Sequence, residues 1–297
     1  IVPTKMPSVM PQMPSNFSYA PTTSEIEATN GDLVREKIPP NIMSSFFDQS
    51  VHLSPPAIVC FVEQLASVST VELRGKEPRI FSLQKLVEVA SANMNRVRYV
   101  WSRIWRIFGD HVVQAATHTN PSIGNYAIDS LKQLAFKFLE KDELSNFNFQ
   151  AEFLRPFEIV MPSATPEMKE LIVHIMYSMV MSRAKNIKSG WKTVFHILYI
   201  CGQSKDVNLQ NSAFNVLETI ATQHPTIFVA NLSDAVRCCL AFSSNPSNES
   251  ISVKTVNFLL AATESLVERQ EEANWARKTG DVDVNVQNDA AAASGDE

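Results

Sequence analysis

The chain has 297 residues, enough for one or two domains with a substantial core. Its 45% apolar and 19% charged residues are typical of globular proteins and exclude a wholly disordered chain. Only 8 residues are glycine, less than half of the usual share of about 7%. No glycines stand at G-x-G-x-x-G or G-x-x-x-x-G-K spacing, which excludes a phosphate-cradling loop, and their scarcity disfavours a turn-rich β fold.

Cysteine and histidine are spaced unlike the ligands of a metal site. The 4 cysteines form no C-x-x-C and the 6 histidines form no H-x-x-x-H, so we expect no metal and no cofactor. No paired carboxylates, Ser/His/Asp set or Cys/His set follows from the spacing, which predicts a non-enzymatic interaction module. The thiols are expected to be buried in a reducing compartment; they are Cys60, Cys201, Cys238 and Cys239.

Composition divides the chain into three parts. Residues 1–45 are rich in proline, serine and threonine without sustained helical periodicity, which predicts a flexible linker or surface loop. Residues 46–278 carry the periodic apolar pattern of a helical-repeat domain. Residues 279–297 hold five acids, no base and four consecutive alanines, which predicts a disordered acidic tail. The start at Ile1, without a basic region before an apolar one, predicts a fragment of a longer protein that has no signal peptide.

Helix-start signals recur through the middle part. Cap residues precede proline at Ser54, Asn120 and Thr165, and Ser82 and Asn186 are expected to open two more helices. Helix pairs predicted to start near Pro121, Thr165, Lys205 and Asn248 are separated by 44, 40 and 43 residues. This is the period of HEAT and armadillo repeats, about 40 to 47 residues. We therefore expect an all-α, right-handed α-solenoid of such repeats, with an α-bundle as the alternative.

Large aromatic residues stand at helical spacing. Trp101 and Trp105 belong to an apolar stripe that runs from Val97 to Val112, and Phe153 and Trp191 lie in later stripes. Aromatic side chains in this pattern are typical of a core rather than a ligand site. Asp129 is expected to pair with Lys132 and Gln133 on its own helix instead of transferring a proton.

Two basic segments stand out against the net charge of −5. Residues 74–106 contain eight bases and two acids, a local charge of +6, and residues 183–205 contain five bases and no acid. Helical geometry predicts that three of the first group face outward and that three of the second form one stripe if their helix extends back that far. These faces suggest an anionic lipid surface or an acidic protein as partner, whereas nucleic acid fits the net charge poorly. The candidate contact residues are Arg96, Arg98, Arg103, Arg106, Lys185, Lys188 and Lys192.

Long motifs between about residues 50 and 270 resemble the first homology-downstream-of-Sec-seven segment of the large Golgi Arf guanine-nucleotide exchange factors, the brefeldin-A-inhibited, Sec-seven type. The signatures carried here are SLQK, NM-x-R, W-x-R-I-W, DSL-x-QL, KFLE, NF-x-FQ, FLRPFE and N-I-x-SGWK. They stand at 82–85, 93–96, 101–105, 129–134, 137–140, 146–150, 153–158 and 186–192, and they include Trp101, Trp105, Asp129, Phe153, Asn186 and Trp191.

The resemblance implies a regulatory domain that follows the exchange domain and is not itself an enzyme. It would recruit a cytoplasmic exchange factor to trans-Golgi membranes by binding activated, membrane-anchored Arf, which gives positive feedback in vesicle trafficking. Two alternatives stay open: an autoinhibitory or scaffolding element that packs on other domains of the same exchange factor, and a module that binds anionic lipid directly. No nucleic-acid partner is expected.

Overall fold

The fold is all-α. The computed structural model describes residues 22–140, 149–245 and 249–279, and these contain thirteen α-helices and no strand. The chain divides into two compact units, Ile1–Gln49 and Ser50–Glu297. Residues 1–21, the first part of the predicted linker, and residues 280–297, nearly all of the predicted acidic tail, lie outside the described residues.

The first unit contains α1 (Thr23–Lys37) and α2 (Pro40–Asp48). The expectation of a loop is wrong for these residues. Thr22 and Glu25 form a capping box, in which the Thr22 Oγ1 accepts from the Glu25 N–H and Glu25 Oε2 accepts from the Thr22 N–H at 2.8 Å. No residue of α1 is buried, so the capping box is the local feature that stabilises the helix. Because α1 has no buried apolar face, its sequence shows no helical periodicity.

The second unit contains the remaining helices. They are α3 (Pro55–Arg74), α4 (Phe81–Ala92), α5 (Arg98–Ala116), α6 (Pro121–Leu139), α7 (Phe149–Val160), α8 (Pro166–Arg183), α9 (Trp191–Gly202), α10 (Val207–Gln223), α11 (Pro225–Ala230), α12 (Leu232–Ser243) and α13 (Glu249–Thr279).

Several helix starts agree with the sequence prediction. Prolines open α3, α6 and α8, and the side chains of Asn120 and Thr165 accept from backbone N–H groups of the first turn. The predicted start at Ser82 is off by one residue, and the predicted start at Asn186 is wrong. Ser82 lies inside the first turn of α4, and Asn186 lies in the loop before α9. Beyond those two, α10 and α13 begin within two residues of the predicted pair starts at Lys205 and Asn248.

Five helices pack side by side in one direction. Contacts advance together along neighbouring helices: Ser69 and His111 join α3 to α5, and Leu73 and His118 join them further along. Trp105 and Gly109 of α5 meet Phe153 and Pro156 of α7 in the same order. The same parallel relation joins α7 to α9 and α9 to α12. We call α3, α5, α7, α9 and α12 the parallel layer; α4, α6, α8 and α10 pack on its other side or on one another.

An aromatic column fills the centre of the unit. The Phe153 ring stacks on Trp105 at 3.8 Å between centroids and on Phe138 at 4.1 Å. All three residues are buried, and so are Trp101 and Trp191, which confirms the predicted aromatic core. Gly109 lets the Pro156 ring approach α5, since a Cβ there would lie 3.3 Å from Pro156 Cγ.

Two expectations about single residues need correction. Val97 is not part of the buried stripe of α5, because it precedes the helix and is 71% exposed. Cys60 is exposed, whereas the other three cysteines are buried as predicted. Burial raises the pKa of the Cys201 and Cys239 thiols to about 12.

By length and composition one described helix, α3, could cross a membrane. Its buried residues, among them Ile58, Val62 and Leu65, pack against α4 and α5, and its buried Ser69 hydrogen-bonds to His111. One face of α3 therefore packs in the core, while Val68 and Val71 of the same helix are 51% and 70% exposed.

Candidate functional site

The outer side of the parallel layer carries three adjoining grooves. The first, of about 390 Å³, lies between α5 and α7 and is lined by Arg103, Arg106 and Arg155 together with Asp110 and Glu152. Glu152 and Arg155 also line the second groove, so the two grooves share a wall. The layer therefore presents one continuous grooved face from α5 onwards.

The second groove, of about 410 Å³, lies over α7, α9 and α12. Lys192 and Arg237 line it beside the acids Glu158 and Asp234. His196 Nδ1 lies 2.7 Å from the Glu158 carboxylate, so Glu158 already has a partner within the domain. The third groove, between α9 and α12, shares Arg237 and Tyr199 with the second, and the Arg237 guanidinium lies 5.4 Å from the Tyr199 ring centre.

Five cations from four successive helices thus follow one another along the grooves. We call Arg103, Arg106, Arg155, Lys192 and Arg237 the cationic row. Their side chains are exposed, and none of them forms a hydrogen bond or ion pair with another residue of the described ranges. Acids stand between them without pairing. The face is therefore mixed in charge, with cationic groups available to an external anion.

The structure separates the residues that the sequence grouped together. Arg103, Arg106 and Lys192 belong to the cationic row, and Arg98 stands at the first position of α5. The predicted stripe of Lys185, Lys188 and Lys192 on one helix is wrong, because α9 begins only at Trp191. Lys185 and Lys188 are exposed in the loop before it.

Arg155 and Arg237 are functional candidates that sequence reasoning missed. Each stands in a segment that also contains acids, so local charge counting gives no signal. Only the packing of α7 and α12 into the parallel layer brings them into line with the cations of α5 and α9.

Among the residues the structure describes, no three histidine, cysteine or acidic side chains come together as metal ligands would. The paired groups that do exist are ordinary ones. Asp129 Oδ2 accepts from Gln133 Nε2 at 2.7 Å and lies near Lys132, which confirms the local pairing predicted for it. The arrangement of the grooved face suits binding to a charged macromolecular surface.

Comparison with known proteins supplies the family. Residues 137–219 match the family model described as Mon2/Sec7/BIG1-like, HDS. The chain is 42% identical over 223 residues to brefeldin A-inhibited guanine nucleotide-exchange protein 1 of Arabidopsis thaliana, covering 73% of this chain and 13% of that protein. It is 39% identical over 219 residues to the protein of the same name from Homo sapiens, covering 72% of this chain and 12% of that protein. The chain contains a Sec7-like HDS domain. It spans about one eighth of the length of these relatives.

Within the HDS domain, the two signatures around Gln150 and Asn186 hold one loop in place. Gln150 is 2% exposed, its Nε2 donates to the Asn186 carbonyl at 2.9 Å, and its Oε1 accepts from the Lys188 N–H at 2.6 Å. The Asn186 side chain donates to the Leu139 carbonyl at 2.7 Å, at the end of α6. Gly190 fits against Leu154, since a Cβ there would lie 3.1 Å from Leu154 Cδ1. The loop therefore packs over the start of α7. Asn186 hydrogen-bonds to the end of α6 and does not begin α9.

Arg96, which precedes the residues matched by the family model, has a similar structural role. The expectation that it lies on the outer face of a helix is wrong, because α5 begins two residues later. Its guanidinium donates to Asn93 Oδ1 and to the carbonyls of Ser50, Val51 and Leu53, the last at 2.7 Å. One side chain thus ties the turn before α5 to the segment before α3.

Proposed function

We propose that this HDS domain is a non-catalytic regulatory domain of an Arf guanine-nucleotide exchange factor. In this proposal it recruits the factor to trans-Golgi membranes by binding activated, membrane-anchored Arf, and it works as a peripheral, cytoplasmic module in vesicle-mediated protein transport. The relatives are guanine nucleotide-exchange proteins, which supports this class of parent protein. The observation that carries a binding role is the cationic row, five exposed side chains without a hydrogen bond or ion pair to another described residue.

The shape of the domain fits this role if the helices form a right-handed α-solenoid of HEAT/armadillo-like repeats, which we also propose. Parallel packing of α3, α5, α7, α9 and α12 supports it, because stacked helical pairs place equivalent helices in one direction. Such a layer offers an extended surface that a folded partner can cover, and a stable protein interface takes about 800 Å² on each partner. The grooves of the cationic row lie along this surface.

Mixed charge favours a protein over a bare lipid headgroup as the partner of the grooves. Asp110, Glu152 and Asp234 stand between the cations and would be repelled by an anionic bilayer, whereas a protein surface can match both signs. Binding that depends on the activated state requires different affinities for the two nucleotide states of the GTPase. The direct test is therefore the nucleotide dependence of recruitment.

The test is flotation of the chain with vesicles that carry Arf loaded with a GTP analogue or with GDP. We expect stronger recruitment in the GTP state, and we expect Arg155→Glu with Arg237→Glu to reduce it at low and moderate salt. The control pair, Lys76→Glu with Arg79→Glu, makes the same charge change on the exposed segment between α3 and α4. Equal recruitment by both nucleotide states would refute the proposal. Equal loss of recruitment in both mutant pairs would show that the grooves are not the binding site.

An intramolecular role is the second reading of the same surface. A row that pairs with an acidic face of the exchange domain would hold that domain in place or inhibit it. In that case the row variant would lose binding to the isolated exchange domain and leave nucleotide-dependent recruitment unchanged.

A further inference from the structure

The start of α5 exposes apolar side chains that the fold does not use. Tyr99 is 72% exposed and Val97 is 71% exposed, whereas their neighbours Val100 and Trp101 are buried. Arg96 holds the backbone of Val51, itself exposed, next to this turn. We call Val51, Val97 and Tyr99 the apolar tip. Single exposed apolar residues are ordinary on a protein surface, and these three are distinguished by the cations beside them.

The charges around the apolar tip are of one sign. The sequence between Glu88 and Asp110 contains no acid, but it contains Arg98, Arg103 and Arg106. The Arg103 guanidinium lies 6.0 Å from the centre of the Tyr99 ring, so cation and aromatic ring share one surface. Arg103 and Arg106 also line the α5–α7 groove, where Asp110 and Glu152 accompany them. Apolar and aromatic side chains edged by arginine are the composition of surfaces that sit in the interfacial region of a bilayer.

The position of the apolar tip is fixed by the core. Trp101 and Trp105 anchor the following turns of α5, and Arg96 bonds to three backbone carbonyls behind the tip. Little ordering is therefore needed when the tip meets a surface. Because α5, α7 and α9 run in one direction, the tip lies at the edge where these helices begin. The exposed Lys188, just before α9, belongs to the same edge.

We propose that the apolar tip inserts into the interfacial region of an anionic bilayer, with Arg103 beside the lipid phosphates. Charge complementarity selects this occupant, since each arginine near such a surface contributes about 1 kcal/mol. Three side chains are too few for a protein interface, which takes about 20 to 30 residues on each side. The inference rests on the proposed membrane location and adds a lipid contact that needs no GTPase. A membrane-anchored partner in the α5–α7 groove would then lie next to the bilayer.

The experiment uses the 297-residue chain and vesicles without any GTPase. Vesicles contain either phosphatidylcholine alone or phosphatidylcholine with one third phosphatidylserine. We expect binding only to the anionic vesicles, weakened on the order of tenfold by Val97→Ser with Tyr99→Ser, which removes most of the inserted apolar surface. The matched control is Val68→Ser with Val71→Ser, which removes apolar side chains of 51% and 70% exposure from α3. Melting curves confirm that both variants are folded.

A probe of insertion separates the tip from simple charge attraction. An environment-sensitive fluorophore is attached to Tyr99→Cys in a Cys60→Ser background, because Cys60 is the exposed native thiol. We expect a blue shift with anionic vesicles at this position and none at Val71→Cys. No shift at position 99, undiminished binding by the tip variant, or equal loss in the control would overturn the inference. A tip effect seen only when the GTPase is present would make it a protein contact and would also overturn it.

The outcomes distinguish this inference from the proposed function. Nucleotide-dependent recruitment that survives without insertion at position 99 rejects the inference alone. Insertion at position 99 together with equal recruitment by both nucleotide states rejects the proposed function alone.

Discussion

Gln150→Ala should destabilise the domain by about 2–4 kcal/mol, although the side chain removed is polar. Gln150 is almost completely buried and bonds to both the Asn186 carbonyl and the Lys188 N–H. Each bond contributes about 1 kcal/mol net, and a backbone group left dry without a partner costs about 1–3 kcal/mol more. The loop groups are half-buried, so water can reach them in part, which sets the range below the sum of the full penalties.

Urea unfolding measures this loss, and amide exchange locates it. The Lys188 N–H should exchange about thirtyfold faster or more in Gln150→Ala, since 1.4 kcal/mol corresponds to tenfold. Gln150→Glu should recover only part of the stability, because a carboxylate accepts from Lys188 but cannot donate to Asn186. Gln133→Ala is the control: this exposed glutamine bonds only to Asp129 and should change stability by less than about 0.5 kcal/mol. A loss below about 0.5 kcal/mol in Gln150→Ala, or unchanged exchange at Lys188, would refute the account of the loop.

Three further predictions concern the core. Trp101→Ala should cost about 3–5 kcal/mol in thermal or urea unfolding, whereas Arg103→Ala on the exposed side of the same helix should cost little; equal tolerance would contradict the helical phase of α5. Ellman's reagent at pH 8 should react rapidly with one thiol, that of Cys60, and with all 4 only after unfolding, because the others are buried with raised pKa values. Burial lowers the pKa of His111, so the unfolded chain takes up a proton on this residue at a higher pH than the folded chain does. The free energy of unfolding should therefore be at its full value above about pH 6.5 and should fall as the pH drops below it. In His111→Gln, unfolding curves should show a flatter dependence on pH. A steeper slope in His111→Gln would show that the sign is wrong.

The helices of the second unit could be predicted because each has a face that must be buried. The apolar stripe of α5 follows from spacing alone apart from Val97, and the prolines at 55, 121 and 166 mark helix starts. In α1 no face is buried, so periodicity is missing and the proline-rich surroundings dominate the prediction. The one available signal was local: Thr22 followed three residues later by Glu25 is a capping-box sequence.

The loops could not be predicted in the same way. Extending a helical wheel through Arg96 and Lys185 assumes regular structure where the chain turns, and the contacts that hold these turns come from distant residues. Arg96 reaches carbonyls 43 to 46 residues away, and Gln150 reaches a loop 36 to 38 residues away. Helical spacing reports only neighbours within about one turn. The motifs were therefore recognisable from the sequence, but their structural roles were not.

The candidate site could be predicted only in part, because single residues of the cationic row do not stand out in the sequence. Arg155 and Arg237 each come from a helix with acids nearby, and they become part of a row only because α5, α7, α9 and α12 run in parallel. The cations lie on four neighbouring helices packed about 8 to 10 Å apart, so the row extends over roughly 30 Å. That length fits the contact face of a folded protein and exceeds what a small ligand would span. The buried signature residues then act on binding indirectly, because Gln150 fixes the loop before α9 and with it the position from which Lys192 reaches the groove.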